Sequence, residues 1–144
     1  MDEPTWKIGR HEMWLEPPDI VHVRVIGDVT ESDTIELLTR SDQCATERDH
    51  QFWLVDVRQI GHIQPGARRR AASWPLSPSH WGTVAFGVGF AQQLLARMLL
   101  SAAKFLRGEV ETVMLLSTED EARTWLTEER RRRQAQSPAA AKLS

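Results

Sequence analysis

From Ile20 to Ile26 the chain alternates. Ile20, His22, Arg24 and Ile26 fall on one side, Val21, Val23 and Val25 on the other, and Gly27-Asp28 closes the run. A period of two is the mark of a strand. Before it, residues 5–15 mix Trp6, Ile8, Met13, Trp14 and Leu15 with polar positions and predict another strand. Glu16-Pro17-Pro18-Asp19 is the turn between them, because two prolines stop a ladder, and the two strands are expected to form a hairpin. Phe52 to Val57 (FWLVDV) is a compact apolar run of the kind found in buried parallel strands. Thr83 to Val88 and Val110 to Leu116 predict two more strands.

Helical signals fill the gaps. Thr30 is an N-cap followed by Glu31 and Asp33, acids that suit the positive end of a helix. Ile35, Leu38 and Ala45 then recur at helical spacing and predict a helix over 31–47. Pro65 fits the first position of a second helix, 65–74, which Trp74-Pro75-Leu76-Ser77-Pro78 ends. A third helix, about 90–107, stops at Gly108. Thr118 and Glu121 make a capping box, and Ala122, Trp125 and Leu126 form the buried stripe of a fourth helix. The order is ββαβαβαβα, an α/β fold with a mostly parallel sheet of about five strands and right-handed crossovers. Residues 1–133 are expected to form one domain, and 134–144, small, polar and proline-containing, a disordered tail.

Composition narrows the function classes. The chain has 144 residues, 41% hydrophobic and 26% charged, a single domain that can bury a core without metal or disulfide support. A net charge of −2 provides no global basic field and disfavours nucleic acid. Cys44 is the one cysteine, so no internal disulfide forms. The most apolar stretch, Phe90 to Leu106, is broken by Gln92, Gln93, Arg97, Ser101 and Lys104, which makes it an amphipathic helix and not a membrane span. With no signal-like apolar run behind Met1, a cytoplasmic protein is expected.

Three stretches resemble one family. Leu54-Val55-Asp56-Val57-Arg58 leads to Pro65-Gly66-Ala67-Arg68. Val84-Ala85-Phe86-Gly87 runs into an apolar helix. Ser117 to Leu126 (STEDEARTWL) is similar to a closing "TEEEAxxWL". Over roughly residues 19–130 the chain resembles the SpoIIAA-like, STAS/SEC14 group of bacterial proteins. The resemblance implies successive βα units with four helices largely on one side of the sheet. It also suggests regulatory protein binding or binding of a lipid-like ligand, although a fold does not by itself set a function. Anti-sigma-factor antagonists of this fold carry a phosphorylatable serine after the third strand. Here that turn reads Gly61-His62-Ile63-Gln64-Pro65-Gly66 and holds no hydroxyl, so the same switch is not expected.

Candidate chemistry is sparse. Cys44 sits in a predicted helix and reads as a small core residue. The histidines, 11, 22, 50, 62 and 80, lack paired metal spacing; His62 and His80 are placed in loops flanking the second helix. Gly87-Val88-Gly89 lies where a strand turns into a helix. Gly87 and Gly89 either present amides to an anion or simply permit a tight turn, and the third glycine of a dinucleotide fingerprint is replaced by Gln92. Asp56 stands near the end of a buried strand, a position used by sites in parallel sheets, or only bonds the following loop. Arg68–Arg70 and Arg130–Arg133 read as solvated helix surface before they read as a nucleic-acid or lipid site.

The third helix points to a surface. Its apolar face is wider than the ~100° arc that one sheet requires. Leu100, Ala103 and Phe105 widen it, Arg97 lies in its polar stripe, and Trp74 and Trp81 flank the loop entering the neighbouring strand. These six residues are the expected partner or ligand surface. The expected function is a non-enzymatic regulatory or scaffolding module, without cofactor, that binds a protein partner or forms a homodimer. A carrier of an apolar or lipid-like molecule is the second reading, and an enzyme without a recognisable motif is the third.

Overall fold

The computed structural model describes residues 5–75, 77–89 and 113–136, and at its centre Val21–Val25 lies beside Trp53–Val57. Six strands form one sheet in chain order: β1 (Thr5–Ile8), β2 (His11–Glu16), β3 (Ile20–Val29), β4 (Gln51–Ile63), β5 (His80–Phe86) and β6 (Val113–Leu116). The β1–β2 and β2–β3 pairs are antiparallel; β3–β4, β4–β5 and β5–β6 are parallel.

The expected single strand over 5–15 is in fact a hairpin, so the sheet has six strands and not five. Gly9 adopts φ +61°, where a side chain is strained and would also meet the Asp33 carboxylate, and the chain reverses between Ile8 and His11. His11 fixes this hairpin to the rest. It is buried, its Nδ1 accepts the Ile26 amide at 3.0 Å, and its Nε2 lies 3.2 Å from Asp33 Oδ2. That pattern assigns the ring proton to Nε2.

Three helices are described: α1 (Glu31–Ala45), α2 (Pro65–Ser73) and α3 (Glu119–Ala135). Thr30 and Thr118 are their side-chain caps where expected. Each makes a reciprocal capping box, Thr30 with Asp33 and Thr118 with Glu121. Along α1 the buried stripe is Thr34, Leu37, Leu38, Ser41, Cys44 and Ala45, while Ile35 is only half-buried. The expected third helix over 90–107 lies outside the described residues, as do 137–144. α3 continues to Ala135, past the boundary expected at 133, and Arg132 and Arg133 pair with Glu129 along its last turns.

The three described helices do not gather on one side. Ile8, Met13, Val21, Val23, Val25 and Val29 pack with Leu37 of α1 and Ala67 of α2. On the opposite face Ile20, Phe52, Leu54, Val84 and Phe86 pack with Ala122 and Leu126 of α3. β3 and β4 therefore bury both faces along much of their length, which explains their near-continuous apolar runs. Trp125, expected in the core, is half-buried at its edge, with its ring 6.5 Å from that of Phe52.

Candidate functional site

β4 is twice as long as the apolar run that announced it, and two bulges let it extend. Arg24 pairs with Asp56 and Ile26 with Gln59, so Val57-Arg58 faces Val25 alone. Gly27 pairs with Ile60 and Val29 with Ile63, so Gly61-His62 faces Asp28 alone. Each bulge adds a residue and changes where the following side chains point.

The first bulge is held by Asp56. Its Oδ1 accepts the Arg58 amide and Nε, both at 3.0 Å, and its Oδ2 accepts Arg58 Nη2 at 2.7 Å. Arg24 Nε stands 3.6 Å from the same carboxylate, and Arg24 Nη1 donates to Glu12 at 3.2 Å. Burial would raise the Asp56 pKa, but the Arg58 bonds outweigh it and hold the carboxyl below its ordinary range. Asp56 is 1% exposed while Arg58 is 57% exposed, with its guanidinium over the Phe86 ring. Beside this row, Trp14 stacks on His22 at 4.1 Å between centroids, and burial lowers the His22 pKa against the opposing pull of Glu16. A carboxylate committed to two guanidiniums is a poor proton acceptor, so Asp56 acts here as an anchor for the bulge.

The second bulge exposes apolar surface. The Asp28 Oδ1 accepts the His62 amide at 2.8 Å, and a Cβ on Gly61 would overlap that oxygen, so the position suits glycine. With one residue added, Ile60 and Ile63 register with Gly27 and Val29 on the same face of the sheet. Gly27 offers no side chain to cover Ile60. Both isoleucines are 37% exposed, the exposed large hydrophobics of the described chain. The Gln64 amide then donates to Val29 O, Pro65 opens α2, and Ala67 is the buried residue of that helix. The turn expected over 61–66 is thus the end of a strand running straight into a helix. His62 and His80, expected in loops, lie in β4 and β5.

Of the expected surface residues, the two tryptophans fall within the described residues. Trp74 donates from Nε1 to Asp42 of α1 at 3.0 Å. Trp81 is the extra residue of a bulge in β5, between the Gln51–His80 and Phe52–Gly82 pairs, and so turns to the α3 face. There it stacks on His50 at 3.8 Å. Trp74 is thus tied to α1 and Trp81 to the α3 side of the sheet. Arg97, Leu100, Ala103 and Phe105 lie outside the described residues. At the expected anion turn, Gly87 has φ +95° and its amide donates to Leu116 O and Ser117 O, while the Val88 amide also reaches Leu116 O. A Cβ on Gly87 would overlap Arg58 Cγ. Gly87 here serves the close approach of Arg58.

Hollows lined by described residues include two of measurable volume. An open groove of about 640 Å³ runs along α1 past Glu31, Glu36, Thr39, Arg40 and Gln43, with Ile35 its large apolar side chain among the described residues. A smaller one of about 260 Å³ lies between the Pro17-Pro18 turn and α3. Among the described residues no cluster of His, Cys, Asp or Glu is arranged to hold a metal ion, and no helix is long and apolar enough to cross a membrane. Sequence reasoning missed Ile60 and Ile63, because their exposure depends on a bulge. The usable signal was Gly61 between two isoleucines in a strand, since a lone glycine there often marks one.

Comparison with known proteins agrees with this architecture. The SpoIIAA-like family model matches residues 20–127. Among solved structures, the chain is similar to an uncharacterised protein of the DUF3478 family with a SpoIIAA-like fold, from Shewanella loihica PV-4. That likeness has a TM-score of 0.59 at 14% identity and covers 79% of this chain and 89% of the other. No curated protein matches the chain.

Proposed function

We propose that this chain, which belongs to the SpoIIAA-like family, is a non-enzymatic regulatory or scaffolding module that works by binding a protein partner or a second copy of itself. The observation that carries this reading is the pair Ile60 and Ile63, held on one face at the end of β4 and 37% exposed each. Large apolar side chains presented from a rigid strand lose little freedom on binding, and burying them is favourable by about 25 cal/mol per Å². The sheet, the two bulges and the Asp28–His62 bond fix their positions before any partner arrives. The SpoIIAA-like likeness favours a regulatory role over catalysis, and the pairing of Asp56 with Arg58 is consistent with it.

The test places a photo-crosslinking amino acid at His62 in cells of the native host and compares wild type with Ile60→Ser/Ile63→Ser. A protein adduct, to itself or another chain, is expected in wild type and should be lost in the double variant while circular dichroism is unchanged. An adduct that persists in the double variant, or none in either, defeats the proposal.

A further inference from the structure

We infer that the surface from the end of β4 through α2 takes an acidic protein segment, Arg68 and Arg69 meeting its carboxylates and Ile60 and Ile63 its apolar side chains. This rests on the partner-binding reading above and names the chemistry of the partner.

The argument is one of charge. From Gln59 to Trp74 the chain holds three arginines and no aspartate or glutamate. Asp28, Glu31 and Asp42, which touch this segment, are already engaged. Glu31 accepts Arg70 Nη2 at 2.9 Å, and Asp28 accepts the His62 amide. Arg68 and Arg69 are exposed and make no ion pair among the described residues. α2 is seated by one buried side chain, Ala67. At 3.6 residues per turn, Arg68 and Arg69 point about 100° and 200° away from it, so both guanidiniums leave the core. Arg68 and Arg69 are the fourth and fifth residues of α2, whose N-cap Gln64 follows Ile63 directly, so about 6–8 Å of helix rise separates them from the end of β4. An exposed guanidinium fork binds a carboxylate with two parallel hydrogen bonds, and neighbouring apolar contacts exclude the water that would weaken them.

The alternatives for a basic patch fit less well. Nucleic acid needs a longer basic track and several aromatic faces for stacking; two adjacent arginines on a chain of net charge −2, with no Phe, Tyr or Trp from Leu54 to Ser73 and Trp74 bonded to Asp42, provide neither. Binding to an anionic membrane normally uses clusters of about 4–8 basic residues. Two exposed isoleucines followed in the chain by two adjacent arginines without ion pairs among the described residues suit a protein segment in which acids alternate with apolar residues.

The experiment selects short random peptides displayed on phage against the folded protein. Each enriched peptide is then measured on wild type, Arg68→Glu/Arg69→Glu and Ile60→Ser/Ile63→Ser, with circular dichroism on all three. The expected peptides are rich in Asp and Glu with interspersed Leu, Ile or Phe. Their affinity should fall about tenfold or more on arginine reversal and decline as salt is raised. If the reversal unfolds the protein, Arg68→Gln/Arg69→Gln replaces it. An enriched pool without acidic bias, or acidic peptides indifferent to both arginine variants, overturns the inference. Peptides that depend on the isoleucines but not on the arginines would defeat the acidic partner and leave the partner-binding reading standing; peptides that depend on neither would defeat both. Arginine-dependent binding of single-stranded RNA or phosphatidylserine vesicles that is tighter than that of any peptide also overturns it.

Discussion

Arg130 lays two guanidinium nitrogens on the carboxylate of Asp19, at 2.6 and 2.8 Å, across 111 positions of sequence. Asp19 is buried and also takes His50 Nε2 at 2.8 Å. Seven residues earlier on α3, Arg123 makes the same two-bond contact with Glu16, at 2.6 and 2.9 Å. The two arginines are two turns apart and grip both sides of the Pro17-Pro18 turn, which seats α3 over Phe52, Leu54 and Val84.

Burial makes the two pairs unequal. Arg130→Met leaves the Asp19 charge buried with His50 alone and is expected to cost roughly 3 kcal/mol. Arg123→Met breaks a pair that keeps a third of its surface in water and is expected to cost about 1 kcal/mol or less. Urea denaturation of both variants checks the order; equal losses would contradict it.

Stability should fall in two stages on acidification. Burial pushes the folded His80 down to about 4 from 6.5, and His22 is also lowered. Between pH 6.5 and about 4 the unfolded chain therefore binds more protons, and acid favours it. Below that window Asp19, Asp56, Glu16 and Glu129 take over. Their folded pKa values lie under ordinary values of 3.8 and 4.5, so their contribution is complete above those values and is lost as pH drops through the folded ones. His80→Gln should flatten the first stage and leave the second. A melting temperature that does not change between pH 6.5 and 4 in wild type would contradict the histidine part.

Gly87→Ala should destabilise by about 1–3 kcal/mol, since the residue has φ +95° and a Cβ would strike Arg58 Cγ. Arg58→Ala in the same chain removes the overlap with Cγ but leaves the tight contacts with the Arg58 backbone and the strain at φ +95°. The double variant should therefore lose less than the sum of the two single losses, which a thermodynamic cycle by chemical denaturation measures.

Leu126→Ala should cost about 2–5 kcal/mol, as Leu126 is 1% exposed in the α3-side core. Trp125→Ala removes more atoms from a half-buried site and should fall below the ~3–5 kcal/mol typical of a fully buried tryptophan. Thermal unfolding of the two variants separates the inner residue from the one at the rim.

The features legible in the sequence were those that depend on neighbours a few positions away. Thr30 and Thr118 cap their helices because the amides they bond lie three residues on, and Pro65 opens α2 because its own ring sets φ. The valines of β3 and the run Phe52–Val57 declared buried strands, since a strand covered on both faces must be apolar throughout. Tertiary structure alone decided the rest. Residues 5–15 fold into two strands about Gly9, whose turn lies against Asp33 of α1. Trp81 reached the α3 face, and Ile60 and Ile63 came to share one, through bulges defined by the partner strand. Asp19 found Arg130, and Glu16 found Arg123, only after α3 crossed the sheet. Local preferences act within about one helical turn or one strand pair, whereas the direction of a side chain after a bulge and the partner of a buried charge depend on residues that folding alone brings together.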